Sequence, residues 1–464
     1  MFDIKLNKHR DNLCLIGEND SYTYKEVDEL CKKLEAFLPF KKSLILVKAK
    51  TNIETIVGYL SLLRLNHAFI MLDSSINREL LNNIMETYRP NYIWEEVDKS
   101  YDYLYTFKTY GLRVNSNRKH KLNNDLSLML STSGTTGSPK MVKLTKKNIY
   151  ANCDSIVEYL KIDSSHKAIT NLPLYYSYGL SVINTHLAQG AAIVVTDKSI
   201  LSKEFWEIFK NNSVTTLNGV PYNYEVFRII GLMKMDLPSL KYMTQAGGKL
   251  NQKLVIEYAK WSKDKNIDFY VMYGQTEATA RISYLPPKNN IEKSNSIGIP
   301  IPNGKLYLKD LNSDEIIEEN YKDGELIYQG DNVMLGYATS LEDLSQDGDL
   351  EGILHTGDVA HKDEDGYFYI TGRLKRFIKI HGNRVGLDEI EQFLKSNNLD
   401  ALCTGIDNKL MIATTNESIV ENIKNIVTKH YALHHSVIKV KKIEQYPVTS
   451  AGKIQYQEII KEFE

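Results

Sequence analysis

The stretch LSTSGTTGSPK, from residue 130 to residue 140, combines the residue types that bind phosphate. Small hydroxylated residues and glycines let the backbone turn tightly and expose its N–H groups, and Lys140 adds a cation. A flexible Ser/Thr/Gly linker is the alternative, but linkers rarely follow a buried strand pattern directly. Such a pattern precedes this loop, at Leu126, Leu128, Met129 and Leu130. We therefore predict that the loop holds phosphates of a nucleotide.

The loop does not have the spacing of a P-loop, in which two glycines five apart precede Lys and then Ser or Thr. Gly134 and Gly137 are closer together, and Met141 rather than a hydroxylated residue follows Lys140. The sequence therefore disfavours an ordinary P-loop NTPase, whereas a bound triphosphate remains the prediction.

Three later stretches each carry a group that suits one part of ATP. In YVMYGQTEATAR, Glu277 is a suitable ligand for Mg²⁺, a hard cation that takes few carboxylates and keeps phosphate oxygens and waters. Asp358 and Arg373 each follow a Thr-Gly pair, and a carboxylate that accepts two hydrogen bonds suits ribose hydroxyls. Lys453 follows a glycine in a small-residue loop. Singly, each residue also fits an ordinary turn or surface position; together they point to ATP.

The elements that position these groups are predicted from hydrophobic periodicity. Residues 43–47 and 67–72 have the pattern of buried strands, and capping boxes are predicted at Thr23 with Glu26 and at Thr51 with Glu54. Apolar residues after the loop repeat at helical spacing from Ile149 to Leu160. The alternation of strands and helices predicts an α/β fold with mostly parallel sheets covered by helices.

The last third of the chain has a different pattern. Asp-Gly and Asn-Gly pairs beyond residue 300 indicate hairpins and a smaller β region. Beyond residue 375 a compact α+β unit is predicted, with helices near 387–394 and 419–427 and strands near 410–413 and 436–443.

Composition limits the function classes. A chain of 464 residues divides into two or more domains, and the net charge of −1 offers no general attraction to nucleic acid or an anionic membrane. The four cysteines are far apart, which argues against a disulfide framework and favours a reducing compartment. No signal-peptide order and no membrane-spanning apolar run are found, so a cytoplasmic protein that binds small molecules is expected.

Taken together, the motifs resemble those of the adenylate-forming enzymes, which include acyl- and aryl-CoA synthetases, amino-acid-adenylating domains of peptide synthetases, and luciferases. MLSTSGTTGSPK, YGQTE, GELIYQG, HTGD, GRLKRFIKIHGNRV and AGK follow the family's order from about residue 126 onward. The resemblance implies a large α/β domain over residues 1–374, with helix-covered mostly parallel sheets and a small β region, that binds ATP and the acid. It also implies a small mobile α+β domain over residues 375–464 that carries the catalytic lysine.

The resemblance gives each matching residue a role. The residues that match the phosphate loop are Thr132, Ser133, Gly134, Thr135, Thr136, Gly137 and Lys140. Gly247 and Gly248 match a turn against adenine, and Tyr273 matches the aromatic residue beside that base.

The remaining matches concern the phosphate, the ribose and the small domain. Thr276 matches a contact to the α-phosphate, and Glu277 matches the magnesium carboxylate. Asp358 and Arg373 match the ribose contacts. The matches in and next to the small domain are Lys375 as the hinge, Arg384 as a further basic residue, and Lys453 as the catalytic lysine.

The acid pocket departs from the family's pattern. Tyr176, Ser177 and Gly179 in PLYYSYG are assigned to it, and Tyr176 stands where histidine is common. Ser177 stands where amino-acid-activating members have an aspartate that pairs with the substrate's ammonium group. A buried ammonium without a carboxylate costs several kcal/mol. We therefore expect a small carboxylic acid without an α-amine.

The function that follows is an ATP-dependent carboxylic acid ligase. It forms an acyl-adenylate with release of pyrophosphate and then transfers the acyl group to coenzyme A or to carrier-protein phosphopantetheine, with ATP and Mg²⁺ as cofactors. An amino-acid-adenylating enzyme that loads a carrier protein and a luciferase-like oxidoreductase are the alternatives. A non-catalytic nucleotide-binding scaffold is disfavoured because Glu277, Asp358 and Lys453 occur together.

Overall fold

A computed structural model describes residues 8–131, 140–311, 313, 315–374, 376–380, 383–431, 433–448 and 454–463. The chain forms two compact units. The first unit comprises residues 1–294, 298–305 and 329–354, and the second comprises residues 295–297, 306–328 and 355–464. The division into functional domains at residues 374 and 375 stays a prediction.

Most strands of the first unit come from the first two thirds of the chain. Its strands are β1 (Leu13–Ile16), β2 (Ser21–Thr23), β3 (Leu44–Ala49), β4 (Ala68–Asp73), β5 (Tyr92–Glu96), β6 (Tyr105–Phe107), β7 (Tyr110–Val114), β8 (Leu126–Ser131), β9 (Met141–Thr145), β10 (Lys167–Ile169), β11 (Ala192–Val194), β12 (Thr216–Gly219), β13 (Tyr242–Gln245), β14 (Asp268–Tyr273), β15 (Ser283–Leu285), β16 (Ile299–Pro300), β17 (Lys305–Lys309) and, later, β20 (Gly336–Ala338). Of these, β17 contributes its first residue to the unit, and the later strand β20 pairs with β9.

The second unit holds most of β17 and the remaining strands. They are β18 (Ile316–Ile317), β19 (Gly324–Gln329), β21 (Ile353–Lys362), β22 (Phe368–Arg373), β23 (Phe377–Ile380), β24 (Asn383–Gly386), β25 (Leu402–Ile406), β26 (Lys409–Thr414) and β27 (Ile438–Lys442).

Helices in the described chain cover the sheets. Those of the first unit are α1 (Tyr24–Glu35), α2 (Ile53–Arg64), α3 (Arg78–Tyr88), α4 (Lys146–Leu160), α5 (Ser177–Ala188), α6 (Lys203–Asn211), α7 (Pro221–Ile229) and α8 (Gln252–Asp264). Those of the second unit are α9 (Leu387–Ser396), α10 (Val420–His430) and α11 (Tyr456–Lys461). Among the residues that the structure describes, no helix combines the length and apolar character needed to cross a membrane.

Two mixed sheets build the first unit. Among the described strands, the order in one sheet is β16-β15-β14-β13-β12-β10-β11-β1-β2, and the order in the other is β20-β9-β8-β4-β3-β5-β7-β6. The central pairs, such as β12 with β13 and β3 with β4, are parallel, whereas the edge pairs are antiparallel. Strands that are buried on both faces carry continuous apolar runs, as residues 44–47 of β3 do. The predicted α/β class is confirmed.

One predicted helix start is confirmed and another is wrong. Thr23 and Glu26 form the predicted capping box of α1, in which the Thr23 N–H donates to Glu26 Oε2 at 2.8 Å. The next helix is capped by Asn52 instead of Thr51, because Asn52 is extended and its Oδ1 accepts from the Thr55 N–H at 2.9 Å. Glu54 turns inward and accepts a hydrogen bond from Thr109 Oγ1 at 3.0 Å.

The second unit contains the β region and the α+β unit that the sequence predicts. Its larger sheet has the order β18-β17-β19-β21-β22, and β25, β26 and β27 form a smaller sheet with α9 and α10. Apolar residues of these helices and strands, including Ile390, Leu394, Ile412 and Ile423, share one core.

Candidate active site

Most of the phosphate loop and two other predicted site positions lie outside the described residues. Of the phosphate loop these are Thr132, Ser133, Gly134, Thr135, Thr136 and Gly137, and the two other positions are Lys375, predicted as the hinge, and Lys453, predicted as the catalytic lysine. Arg384 is described through its backbone, which pairs with Lys379 in the antiparallel hairpin of β23 and β24. The roles given to these residues stay predictions.

Lys140 and Glu277 are linked through one tyrosine. Lys140 immediately precedes β9, and β9 pairs with β20 so that Val142 lies opposite Tyr337. The Lys140 ammonium nitrogen lies 3.5 Å from the centroid of the Tyr337 ring, within the range of a cation–π interaction. On its other side, the Tyr337 hydroxyl donates a hydrogen bond to Glu277 Oε1 at 2.8 Å. Burial and the Glu277 carboxylate both raise the pKa of Tyr337, so it remains a neutral donor.

Glu277 fits the predicted role of a magnesium ligand. It lies in a short 3-10 helix, Thr276–Ala278, and its carbonyl oxygen accepts from the Met334 N–H at 2.8 Å. Tyr337 uses one carboxylate oxygen, and no described residue donates a hydrogen bond to the other, Oε2. A half-buried, well-positioned carboxylate oxygen is a ligand that Mg²⁺ prefers beside phosphate oxygens.

At the start of α5, residues predicted to form the acid pocket lie next to a residue predicted to contact the nucleotide. Ser177 is the first residue of this helix, and its Oγ lies 3.4 Å from Thr276 Oγ1. Gly179 lies where a Cβ would come within 2.2 Å of the Pro173 carbonyl oxygen. The glycine thus allows α5 to pack closely against the chain that precedes it.

The Gly247–Gly248 turn packs on Tyr176. Gly247 has a φ of 84°, and a Cβ there would lie 2.5 Å from the Tyr176 hydroxyl oxygen. Gln245 closes the turn by donating from Nε2 to the Gly248 carbonyl at 2.8 Å. Burial raises the pKa of Tyr176 to about 12, so its hydroxyl stays protonated near neutral pH. Tyr273, at the end of β14, accepts a hydrogen bond from Gln275 Nε2 at 3.1 Å.

The two predicted ribose residues belong to the second unit and face each other across β21 and β22. Asp358 is paired with Arg373 in the antiparallel register. Arg373 Nε lies 2.6 Å from Asp358 Oδ1, with the carboxylate buried and the arginine side chain exposed. The Asp358 N–H donates to Thr356 Oγ1 at 3.1 Å. This pairing fixes the carboxylate at the strand.

The sequence matches the AMP-binding enzyme family over residues 2–338. The chain belongs to this family. Among curated relatives, this AMP-binding enzyme is 26% identical to 4-coumarate--CoA ligase-like 6 of Arabidopsis thaliana over 353 residues, which are 72% of the chain and 62% of that relative. It is 28% identical to 2-succinylbenzoate--CoA ligase of Staphylococcus aureus over 341 residues, which are 71% of the chain and 66% of that relative. The match thus spans slightly less than two thirds of each relative.

Solved structures show the same fold. The AMP-binding enzyme superposes on o-succinylbenzoate CoA synthetase (MenE) from Bacillus subtilis, in complex with the acyl-adenylate intermediate OSB-AMP, with a TM-score of 0.78 and 19% identity. The superposition covers 98% of this chain and 97% of that chain. The same synthetase in complex with ATP and magnesium ion gives a TM-score of 0.75.

Several residues at the site of this AMP-binding enzyme were not identified from the sequence. Tyr337 joins Lys140 to Glu277, and Asn332 Nδ2 donates to the carbonyl oxygens of Ala278 at 2.8 Å and Arg281 at 2.9 Å. Neither residue lies in a recognisable motif. Arg281 ends the stretch that contains Glu277. Its position four residues after that carboxylate is the feature of the sequence that could have identified it as a site residue.

Proposed function

We propose that this AMP-binding enzyme is an ATP-dependent acid–thiol ligase. The observation that carries the proposal is the 3.4 Å approach of Ser177 Oγ to Thr276 Oγ1, which joins the acid pocket to the α-phosphate contact. Glu277, next in sequence, is connected through Tyr337 to Lys140 at the exit of the phosphate loop. The names of the two relatives, one a CoA ligase and the other a CoA ligase-like protein, support the same reaction.

In the first half-reaction, an oxygen of the substrate carboxylate attacks the α-phosphorus of ATP. The bond from that phosphorus to the bridging oxygen breaks, so that an acyl-adenylate forms and pyrophosphate leaves with the bond electrons. The carboxylate is already ionised, so no general base is required. Lys453 and Thr276 stabilise the charge that develops on the α-phosphate oxygens. Glu277 would hold the magnesium ion, which would supply neutralisation of the phosphate charge.

In the second half-reaction, a thiolate sulfur attacks the acyl carbon and AMP leaves as the carbon–oxygen bond to phosphate breaks. Coenzyme A is the acceptor that the names of the relatives favour, and carrier-protein phosphopantetheine has the same thiol. The proposal includes a large domain over residues 1–374 and a small domain over residues 375–464 that rotate about Lys375 between the half-reactions.

The proposed substrate is a small carboxylic acid without an α-amine. Ser177 supplies a hydroxyl rather than a carboxylate at the start of α5, and the nearby Arg281 guanidinium repels an ammonium group. A cytoplasmic location is part of the proposal. It is supported by the four cysteines, all of which are buried and none of which forms a disulfide.

The test is pyrophosphate release by Lys453→Ala with ATP, Mg²⁺ and a panel of acids. The rate is expected to fall by about 10²–10³ because the lysine acts on charge that develops during transfer, while ATP affinity changes little. Lys461→Ala, an exposed lysine paired with Glu458, is the matched control. Near-normal pyrophosphate release by Lys453→Ala would contradict the proposed role. AMP release is then measured with and without coenzyme A. Release that requires coenzyme A indicates transfer to the thiol in addition to adenylation.

A further inference from the structure

A buried arginine lies beside the proposed acid pocket. Arg281 is 3% exposed, and the centre of its guanidinium stacks 4.0 Å from the centroid of the Tyr178 ring. Tyr178 is the second residue of α5, directly after Ser177. An arginine keeps its charge in any protein environment, so the fold buries a positive charge here.

The described chain gives this charge no carboxylate partner. Arg281 Nε contacts Met272 Sδ at 3.4 Å, and Nη1 donates to the Ala280 carbonyl oxygen at 3.3 Å. The Tyr159 hydroxyl also interacts with the guanidinium. A sulfur, one carbonyl, one hydroxyl and one aromatic face offset only part of the cost of removing a cation from water. Buried charges are otherwise paired. The fold thus buries a cation that no described carboxylate neutralises.

A buried amide lines the same pocket as Arg281. Asn218 is 3% exposed, and its Oδ1 accepts from Thr244 Oγ1 at 2.6 Å, which orients the amide nitrogen away from that hydroxyl. Asn218 Nδ2 is buried and has no hydrogen-bond partner among the residues that the structure describes. The polar residues that line this pocket are Ser181, Thr185, His186, Asn218, Thr244 and Arg281.

The other titratable groups around the pocket add no negative charge. His186 Nδ1 contacts the Val182 carbonyl at 2.9 Å, and burial lowers the pKa of His186 to about 4, so the ring is neutral near pH 7. Burial raises the pKa values of Tyr178 and Tyr242, which therefore remain neutral hydroxyls. The net charge facing the pocket from these elements is that of Arg281.

We propose that Arg281 and Asn218 form a subsite for a second anionic group of the substrate, so that the acid this enzyme activates is a dicarboxylate. The inference rests on the proposed function and specifies its substrate class. One carboxylate reacts beside Ser177 and Thr276, and the other accepts hydrogen bonds from the guanidinium and the Asn218 amide. A guanidinium binds a carboxylate well because its parallel N–H donors match the two oxygens.

The geometry of α5 sets the length of such a substrate. Ser181 and Thr185, which line the pocket, follow Ser177 by about one and two helical turns and so lie about 6 and 12 Å from it along the helix axis. Two carboxylates separated by a few carbon atoms match this interval in length, and the lining side chains must move apart to admit them because the pocket is nearly filled in the structure. The apolar walls of the pocket, including Ile156, Leu160 and Val182, suit the intervening methylenes.

The experiment compares matched pairs of acids in ATP–pyrophosphate exchange. The pairs are butanoate with succinate, hexanoate with adipate, and octanoate with suberate. In the unsubstituted enzyme, kcat/KM for the best diacid is expected to exceed that for its monoacid by about 10²-fold, the range for a buried ion pair. Arg281→Met is expected to lower kcat/KM for the diacids far more than for the monoacids and so to remove this preference. Arg281→Lys restores part of it because it keeps the charge without the planar fork.

Controls separate specificity from stability. Arg228→Met removes an exposed arginine of α7 and is expected to change neither rate nor preference. Asn218→Ala is expected to lower diacid use by about 10-fold, the worth of one charge-assisted hydrogen bond. Equal use of monoacids and diacids by the unsubstituted enzyme, or an unchanged preference in Arg281→Met, would refute the subsite and leave the ligase intact. No exchange with any acid of the panel would refute the proposed function itself.

Discussion

At the scale of single residues, Gly247 sets the position of Tyr176. Its φ of 84° is unfavourable for any other residue, and its missing side chain leaves room for the tyrosine hydroxyl. Both properties follow from the absence of a Cβ. The position of Tyr176 relative to the start of α5 therefore depends on this glycine.

Gly247→Ala is expected to lower the rate of adenylation strongly, because the new methyl group displaces the Tyr176 hydroxyl. It also costs at least about 1 kcal/mol of stability, as alanine does at positive φ. Gly231→Ala is the matched control, since Gly231 has a φ of 75° with no atom within 4 Å of its Cβ position. The control variant has the same cost of placing alanine at a positive φ, but its new methyl group contacts no side chain. Equal activity of the two variants at equal stability would contradict the role of Gly247.

Tyr337→Phe tests the link between Lys140 and Glu277. The ring that faces Lys140 is kept, and the hydrogen bond to Glu277 Oε1 is lost. Because groups that orient a ligand affect metal affinity by about 10- to 100-fold, the magnesium concentration for half-maximal rate is expected to rise at least about 10-fold. Magnesium titrations at saturating ATP measure the change. Tyr307→Phe, on β17, is the control, and an unchanged magnesium dependence of Tyr337→Phe would show that Glu277 needs no such support.

At the scale of elements, the start of α2 gives a test of helix capping. Asn52→Ala is expected to lower the free energy of unfolding by about 1 kcal/mol, because the hydrogen bond to the Thr55 N–H is lost. Thr51→Ala, at the neighbouring position, is expected to cost less. Denaturant unfolding of the two variants measures the difference. A larger loss for Thr51→Ala would mean that the helix begins one residue earlier than described.

This cap shows what the sequence can and cannot predict about elements. The presence of α2 follows from apolar spacing, but Thr51 and Asn52 are both capping residue types, and local sequence does not choose between them. The choice is made by a distant contact, since Glu54 turns to Thr109 instead of to the backbone before the helix. The strands β3 and β4 were predicted to within about two residues because each is a buried apolar run.

The site shows the same division. Residues in local motifs, such as Glu277 and Asp358, could be proposed from their neighbours in sequence. Asn332 holds the backbone at Ala278 and Arg281, yet it lies more than fifty residues beyond them and carries no motif. Tyr337 reaches the site through the pairing of β20 with β9. Partners of this kind are set by tertiary structure, so their residue type alone does not reveal them.

At the scale of the whole molecule, the thirty tyrosines have a structural explanation. Many of those described are core residues whose hydroxyls donate to other core groups: Tyr24 to the Ala191 carbonyl at 2.7 Å, Tyr59 to Asn184 at 2.9 Å, and Tyr224 to the Thr244 carbonyl at 2.8 Å. Burial raises the pKa of each of these three hydroxyls above the ordinary value. The sequence did not indicate this arrangement.

A loss of stability at alkaline pH follows. Tyrosine ionises in the unfolded chain near its ordinary pKa of about 10, while the folded state holds these protons at higher pH. The unfolded state therefore binds fewer protons above that value, and the free energy of unfolding falls by about 1.4 kcal/mol per pH unit for each such tyrosine. Below pH about 10 this stabilisation is fully present. Urea unfolding across that range measures it, and a denaturation midpoint that does not fall above pH 10 would contradict the expectation.

The buried cysteines allow the local opening of each compact unit to be measured separately. Cys14, Cys31 and Cys153 lie in the first unit and Cys403 in the second, and all four are buried. An alkylating reagent reaches such a thiol only when the surrounding structure opens, so the labelling rate under native conditions measures the opening equilibrium. Mass spectrometry of labelled peptides then yields a separate opening free energy for each unit, without a denaturant or an introduced probe.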